Sequence, residues 1–349
     1  MIDVELLKKI CEVPGAPGFE QPVRSFIMDH LSNYYEHIST DSMGNVIVFK
    51  KGKSDKKLML AAHMDEISFI VTHIDDDGFI RFQPLGGFDP KTLTAQRVII
   101  HSDPEIIGVM ASKPVHIMTS EEKRKAPELK DYFIDTGLAG KKVKEIVEIG
   151  TPITRERGLI EMGDCVNSKS IDNRVSVFIL IETLKKLAEE EVPFDLYGVF
   201  TVQEEVGIRG ATVAASGIHP DFGIAIDTTI AYDLPGAQAH ETITKLGRGP
   251  AIKILDGMTI ADYRMVSFMK KTAGKHQLDF QMEILPAGGT DTAAIQRAGN
   301  GGSVSGAISV PTRHLHQVIE MAHKKDIADA IELLKICILE MNTYDWSFR

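Results

Sequence analysis

Residues 196–202, LYGVFTV in one-letter code, form a mostly apolar, β-rich run that ends on Gln203-Glu204-Glu205-Val206-Gly207. Such a run, closed by a glycine, reads as a buried strand. Two adjacent carboxylates at its mouth cost several kcal/mol, as an order of magnitude, unless a partner offsets their charge. A metal cation is the partner this pattern asks for. Extended backbone aims neighbouring side chains to opposite sides, so Glu204 and Glu205 are expected to divide the work, one ligating and one moving a proton.

A buried strand needs others beside it, and the chain supplies them in two textures. Strand patterns at 45–50, 57–62, 195–202, 222–227, 250–255, 279–284 and 303–309 alternate with helical patterns at 3–12, 20–37, 172–190, 210–216, 260–276, 291–298 and 324–342. That alternation predicts an α/β fold, a mixed central sheet flanked by helices on both faces. From about 67 to 164 the texture changes to strands without long helices, at 67–74, 79–83, 96–102 and 106–112, which predicts an inserted β-barrel-like domain. The charged stretch 121–130 within it reads as a solvated loop or helix face. The expected organisation is one catalytic α/β domain from residues 1–66 and 165–349, interrupted by the β-rich domain 67–164. A chain of 349 residues is long enough for two cores.

Composition narrows the function. A formal net charge of −10 argues against nucleic acid and against an anionic membrane as partners, since both select clustered Lys and Arg. No stretch approaches the roughly 18 apolar residues of a membrane span, and the opening Met-Ile-Asp-Val-Glu lacks the features of a secretion signal. Cys11, Cys165 and Cys337 are odd in number and far apart, and so read as buried, reduced thiols. The cytoplasm is the expected location.

Potential ligands gather at the ends of the expected strands and at helix openings: His63 and Asp65 after strand 57–62, Asp172 opening a helix, Glu204, Glu205, Asp227 ending strand 222–227, and His316. Two imidazoles with three or four carboxylates are what two neighbouring zinc or cobalt ions require, one carboxylate bridging and a water in the open position. Asp65, two residues after His63, is placed to hold the other imidazole nitrogen. Taken singly, Asp172 is as well explained by a helix cap, and Gly288-Gly289-Thr290-Asp291 by a turn leading into a cap. The remaining histidines read as structural or solvated.

Taken together, Ala62-His63-Met64-Asp65-Glu66, Ser170-Ile171-Asp172-Asn173-Arg174-Val175, Gln203-Glu204-Glu205-Val206-Gly207, Ala225-Ile226-Asp227, Gly288-Gly289-Thr290-Asp291 and Pro311-Thr312-Arg313 with His316 resemble the tetrahedral family of metallo-aminopeptidases, which includes glutamyl and lysyl members. The resemblance covers nearly the whole chain, with the motifs in order. It implies a zinc-peptidase type of fold, Asp172 bridging two divalent ions, His63 and Asp227 on one, Glu205 and His316 on the other, and Glu204 as general base; Asp65, by its spacing from His63, is counted with Glu204 as a catalytic residue. It also implies that the inserted domain serves dimerisation and assembly, with dimers forming a hollow tetrahedral dodecamer that trims short peptides. The chain has His314 where an aromatic is usual. Strand-like spacing puts His314 and His316 on one side, so only the resemblance selects His316.

The expected function is therefore removal of N-terminal residues from short peptides by a metal-activated water. Gly288, Gly289 and Asp256 are candidates for the substrate wall. A glycoside hydrolase using paired carboxylates is one alternative, although it leaves His63, Asp172, Asp227 and His316 without a task. Others are a metal-dependent deacylase on the same scaffold and a catalytically silent assembly protein.

Overall fold

The computed structural model describes residues 2–348, and among them the chain forms one eleven-stranded sheet and one closed six-stranded barrel. The sheet opens with β1 (Ile38–Thr40), β2 (Val46–Lys50) and β3 (Ser54–His63). The chain then leaves for the barrel: β4 (Ser68–Ile74), β5 (Ile80–Leu85), β6 (Arg97–Ile100), β7 (Ile106–Ser112), β8 (Tyr132–Asp135) and β9 (Pro152–Arg155). It returns to the sheet with β10 (Ile160–Met162), β11 (Cys165–Ser168), β12 (Phe194–Thr201), β13 (Phe222–Ile230), β14 (Ala251–Leu255), β15 (Gln281–Ile284), β16 (Val304–Arg313) and β17 (Glu320–His323). Strand order is β1-β2-β12-β3-β13-β16-β17-β11-β10, with β14 and β15 branching from β16. Neighbours among β12, β3, β13 and β16 pair in parallel, whereas β2 and β17 join antiparallel, so the sheet is mixed as expected.

Both faces of the sheet are covered, which is why its central strands read as unbroken apolar runs rather than alternations. Leu58, Leu60 and Ala62 of β3 enter the larger core, with α1 (Val4–Glu12), α2 (Gln21–Leu31), α4 (Ile171–Leu187), α6 (Tyr263–Lys275) and α8 (Lys324–Glu340). Met59 and Ala61 face the other way, onto α5 (Arg209–Ile218) and α7 (Thr292–Gln296). Helix α4 is apolar nearly all round because it is buried nearly all round. The barrel has its own core, built by Phe69, Val71, Ile80, Phe82, Val98, Ile100, Ile134 and Ile153, with α3 (Gly140–Ile146) adding Val143.

Several expectations need correction. The second helix stops at Leu31 rather than 37; Tyr35 is buried and donates its hydroxyl to the Leu184 carbonyl at 2.7 Å. Strands β1, β8, β9, β10, β11 and β17 were not anticipated, because three or four residues are too few to show a period. One of them, β10, lies inside stretch 67–164 yet pairs with β11 in the large sheet. Cys11 and Cys337 are buried, but Cys165, opening the short β11, is only half so; all three are unpaired. Among the described residues no helix is long and apolar enough to cross a membrane.

The site follows from register. Parallel pairing sets Thr201 beside His63 and Ala225 beside Ala61, so the carboxyl ends of β12, β3 and β13 open onto one edge, where open α/β sheets form their sites.

Candidate metal centre

Residues from both sides of the insertion meet at that edge. His63 Nε2 lies 3.4 Å from Asp172 Oδ1, 3.7 Å from Asp227 Oδ1 and 3.9 Å from Glu204 Oε2. His316 Nε2 lies 3.3 Å from Asp172 Oδ2 and 3.7 Å from Glu205 Oε2. Two donor groups result, His63-Asp172-Asp227 and Asp172-Glu205-His316, each with its atoms within 4.8 Å of one another. They share Asp172, one oxygen to each. Among the described residues no Lys or Arg forms an ion pair with Asp172, Glu204, Glu205 or Asp227, and the buried Glu205 Oε1 has no hydrogen-bond partner. A donor set of two imidazoles and three carboxylates, with Glu204 beside it, fits divalent metal ions.

Local backbone departs from the expected strands at three ligands. Strand β12 ends at Thr201, and Gln203 turns the chain with φ +53°, so Glu204 and Glu205 start a turn and both face the same basin instead of opposite sides. Asp227 sits inside β13 rather than at its end. His314 and His316 are not strand residues: both follow β16 with positive φ, +59° and +62°. Asp172 does not cap α4 with its side chain, which faces the two imidazoles instead. Asp291 stands at the N-cap position of α7, but its side chain does not cap the helix; its Oδ2 takes the Thr201 hydroxyl at 2.5 Å.

Second contacts fix the ligands. Asp65 Oδ1 accepts the Glu204 amide at 3.0 Å and Oδ2 the Glu205 amide at 3.1 Å, while His63 Nδ1 meets the Asp65 carbonyl at 3.2 Å and its carboxylate only at 3.5 Å. Asp65 thus orients the imidazole mainly through its backbone and the two glutamates through its side chain. His316 Nδ1 donates to the Gly87 carbonyl at 2.9 Å, leaving Nε2 for the basin. Glu320 was missed from the sequence. Its oxygens accept the amides of Asp172 at 2.9 Å and His316 at 2.8 Å. The signal was present, an acid flanked by Val318, Ile319, Met321 and Ala322.

Charge without a counter-charge shifts the titrations. Burial pushes Glu204 well above the carboxylate range, Glu205 to about 8 and Asp227 upward, with neighbouring acids adding to each. Burial works against a charged His316, but Asp172 and Glu205 outweigh it and raise the imidazole to about 10. His63 rises well above its ordinary value for the same reason, held by Asp172, Asp227 and Asp65. Asp172 goes the other way: burial would raise it, yet His316 and His63 hold it low. Protons here occupy the places that cations would take.

The basin opens into a cavity of about 650 Å³ whose wall includes Gly288, Gly289, Asp256 and Lys253. Asp256 Oδ1 accepts the amides of Met258 and Thr259 at 2.9 and 2.7 Å, and Oδ2 takes the Thr290 hydroxyl at 3.2 Å with Lys253 Nζ at 3.5 Å. Lys253, paired with Glu283 at 2.5 Å, was not anticipated.

A family model described as M42 glutamyl aminopeptidase matches residues 44–333. The chain belongs to the M42 peptidases. It is 32% identical to the lysyl aminopeptidase of Pyrococcus furiosus over 99% of this chain and 100% of that protein. Among solved structures, an aminopeptidase from the archaeon Desulfurococcus kamchatkensis superposes with a TM-score of 0.92 at 37% identity, covering 97% of this chain and 94% of that one. The Pyrococcus horikoshii TET1 peptidase, described as able to assemble into a tetrahedron or a large octahedral shell, superposes with a TM-score of 0.86 at 29% identity over 97% and 99%. As an M42 member the protein is a metal-dependent aminopeptidase, a hydrolase of peptide bonds.

Proposed function

We propose that this M42 aminopeptidase works through a dinuclear centre in which His63 and Asp227 hold one divalent ion, Glu205 and His316 the other, and Asp172 bridges them. The carrying observation is the division of Asp172, with Oδ1 toward one imidazole at 3.4 Å and Oδ2 toward the other at 3.3 Å. Zinc or cobalt suits such donors. Ions held by these residues would supply Lewis acidity, lowering the pKa of a bound water and polarising a carbonyl. Glu204, which belongs to neither donor group, is the general base. It takes the proton of the attacking water and passes it to the leaving amine. Its Oε2 lies at the rim of the basin, 3.9 Å from His63 Nε2, within reach of a water held there. Asp65 keeps Glu204 and Glu205 in place through their amides.

Substrates are short peptides with a free, cationic amino terminus, which an acidic basin attracts, and Gly288, Gly289 and Asp256 form the wall they meet. A homo-oligomer, with dimers as its units and a tetrahedral dodecamer as its closed form, is the proposed assembly; the tetrahedron described for TET1 supports it. Ile107 and Val109 on β7, and Val115 and Ile117 in the turn beyond it, are exposed apolar side chains of the inserted region that such contacts could cover. Three unpaired thiols agree with a cytoplasmic setting.

Glu204→Gln tests the reading: kcat on aminoacyl chromogenic substrates should fall about 10²- to 10⁴-fold with both ions retained. Unchanged turnover, or turnover of the unaltered protein that survives chelation, would contradict it.

A further inference from the structure

We infer that Glu320 is a positioning residue that assembles one half of the metal centre before an ion arrives, an inference that rests on the dinuclear reading. Its carboxylate is buried at the start of β17 and spans two segments far apart in the chain. Oε2 accepts the Asp172 amide at 2.9 Å and Oε1 the His316 amide at 2.8 Å. Those two residues are the bridging carboxylate and the imidazole of the same donor group. One side chain therefore sets the spacing between ligands delivered by the head of α4 and by the turn after β16.

Neither amide has a ready substitute partner. The Asp172 amide lies at a helix head, where amides lack intrahelical acceptors, and it is buried from water. His316 holds a left-handed backbone, φ +62°, which residues with a side chain keep only where their surroundings demand it. The barrel closes the other side of that residue: Arg155 Nη1 reaches the His316 carbonyl at 3.4 Å while Nη2 donates to the Lys169 carbonyl at 2.8 Å. With Nδ1 on the Gly87 carbonyl, His316 is held by its amide, its carbonyl and its ring. Only Nε2 stays free, facing Asp172 and Glu205.

The other donor group is built differently. His63 and Asp227 stand on β3 and β13, paired with Thr201 of β12 and Ser309 of β16, so the sheet already fixes their backbone. Asp172 serves both groups but His316 only one, so loss of Glu320 should weaken the ion on Glu205 and His316 much more than the ion on His63 and Asp227.

Glu320→Gln keeps the side chain's volume but turns an NH₂ group toward one of the two amides. Metal-stripped protein is titrated with Co²⁺ and followed by calorimetry and visible absorbance. The variant should bind one ion within about 3-fold of the unaltered affinity and the other about 10- to 100-fold more weakly, the usual cost of removing a partner behind a ligand. Two unchanged affinities, or equal losses at both ions, would overturn the role of Glu320 while leaving the dinuclear reading intact. Fewer than two ions on the unaltered protein would overturn both. A second measurement covers a variant that does not fold. In the stripped, unaltered protein the amides of Asp172 and His316 should already be protected from hydrogen exchange; protection gained only on adding Co²⁺ would overturn the inference.

Discussion

Asp65 and Glu66 are neighbours in the chain and both are fully buried, yet they face clusters of opposite design. Glu66 meets Lys169 Nζ at 2.5 Å and Arg174 Nη2 at 3.6 Å. Burial would raise its pKa, but those two cations win and lower it. Asp65 turns toward Glu204 and Glu205, and beyond them to Asp172 and Asp227, where no Lys or Arg among the described residues forms an ion pair. Three of those four acids are pushed upward. One cluster brings its own counter-charge and holds the fold together. The other leaves negative charge for something from outside to neutralise, and that difference separates a structural ion pair from a candidate binding site.

The two designs respond differently to losing an acid. Glu66→Gln strands Lys169 and Arg174 as buried cations, so the metal-stripped protein should lose about 3–5 kcal/mol of stability in urea unfolding, with metal uptake per folded molecule unchanged. Stability that stays put would remove the distinction between the clusters. Glu205→Gln should do the reverse: one of two ions is lost, while the stripped protein melts no lower than before. A loss above about 1 kcal/mol in the stripped state would show that Glu205 serves the fold.

The pH dependence should sharpen the contrast by a smaller amount. Glu205 rises from 4.5 to about 8 in the fold, so its contribution is fully present below 4.5 and lost as pH climbs through 8. His316, raised from 6.5 to about 10, has the same sign: stability present below 6.5 is lost as pH rises through 10. Divalent ions replace those protons, so the gap in Tm between loaded and stripped protein should widen from about pH 6 to about pH 9. A gap that narrows over that range would contradict the assigned shifts.

Much of this was legible in the sequence because the strands that lead into the site carry mostly apolar, buried runs. Strand β3 announces itself through Leu58 to Ala62, and β12 through Leu196 to Val202. An acid or imidazole just beyond such a run stands out. The turns were not legible. Nothing local predicts a left-handed Gln203, yet that residue makes Glu204 and Glu205 share a basin; the left-handed backbone of His314 and His316 was equally unannounced. Glu320 escaped because β17 is four residues long, although its burial could be read from its apolar neighbours by the logic that singled out Glu204. Lys253 and Glu283 escaped because they neutralise each other across β14 and β15, a pairing that only the sheet reveals.

A crystal structure of protein loaded with zinc or cobalt, with anomalous maps at the metal edge, bears most directly on the site. Two peaks are expected, both within about 2.0–2.2 Å of Asp172 oxygens, one also bonded to His63 and Asp227 and the other to Glu205 and His316. A single peak, or peaks away from these five residues, would contradict the dinuclear centre.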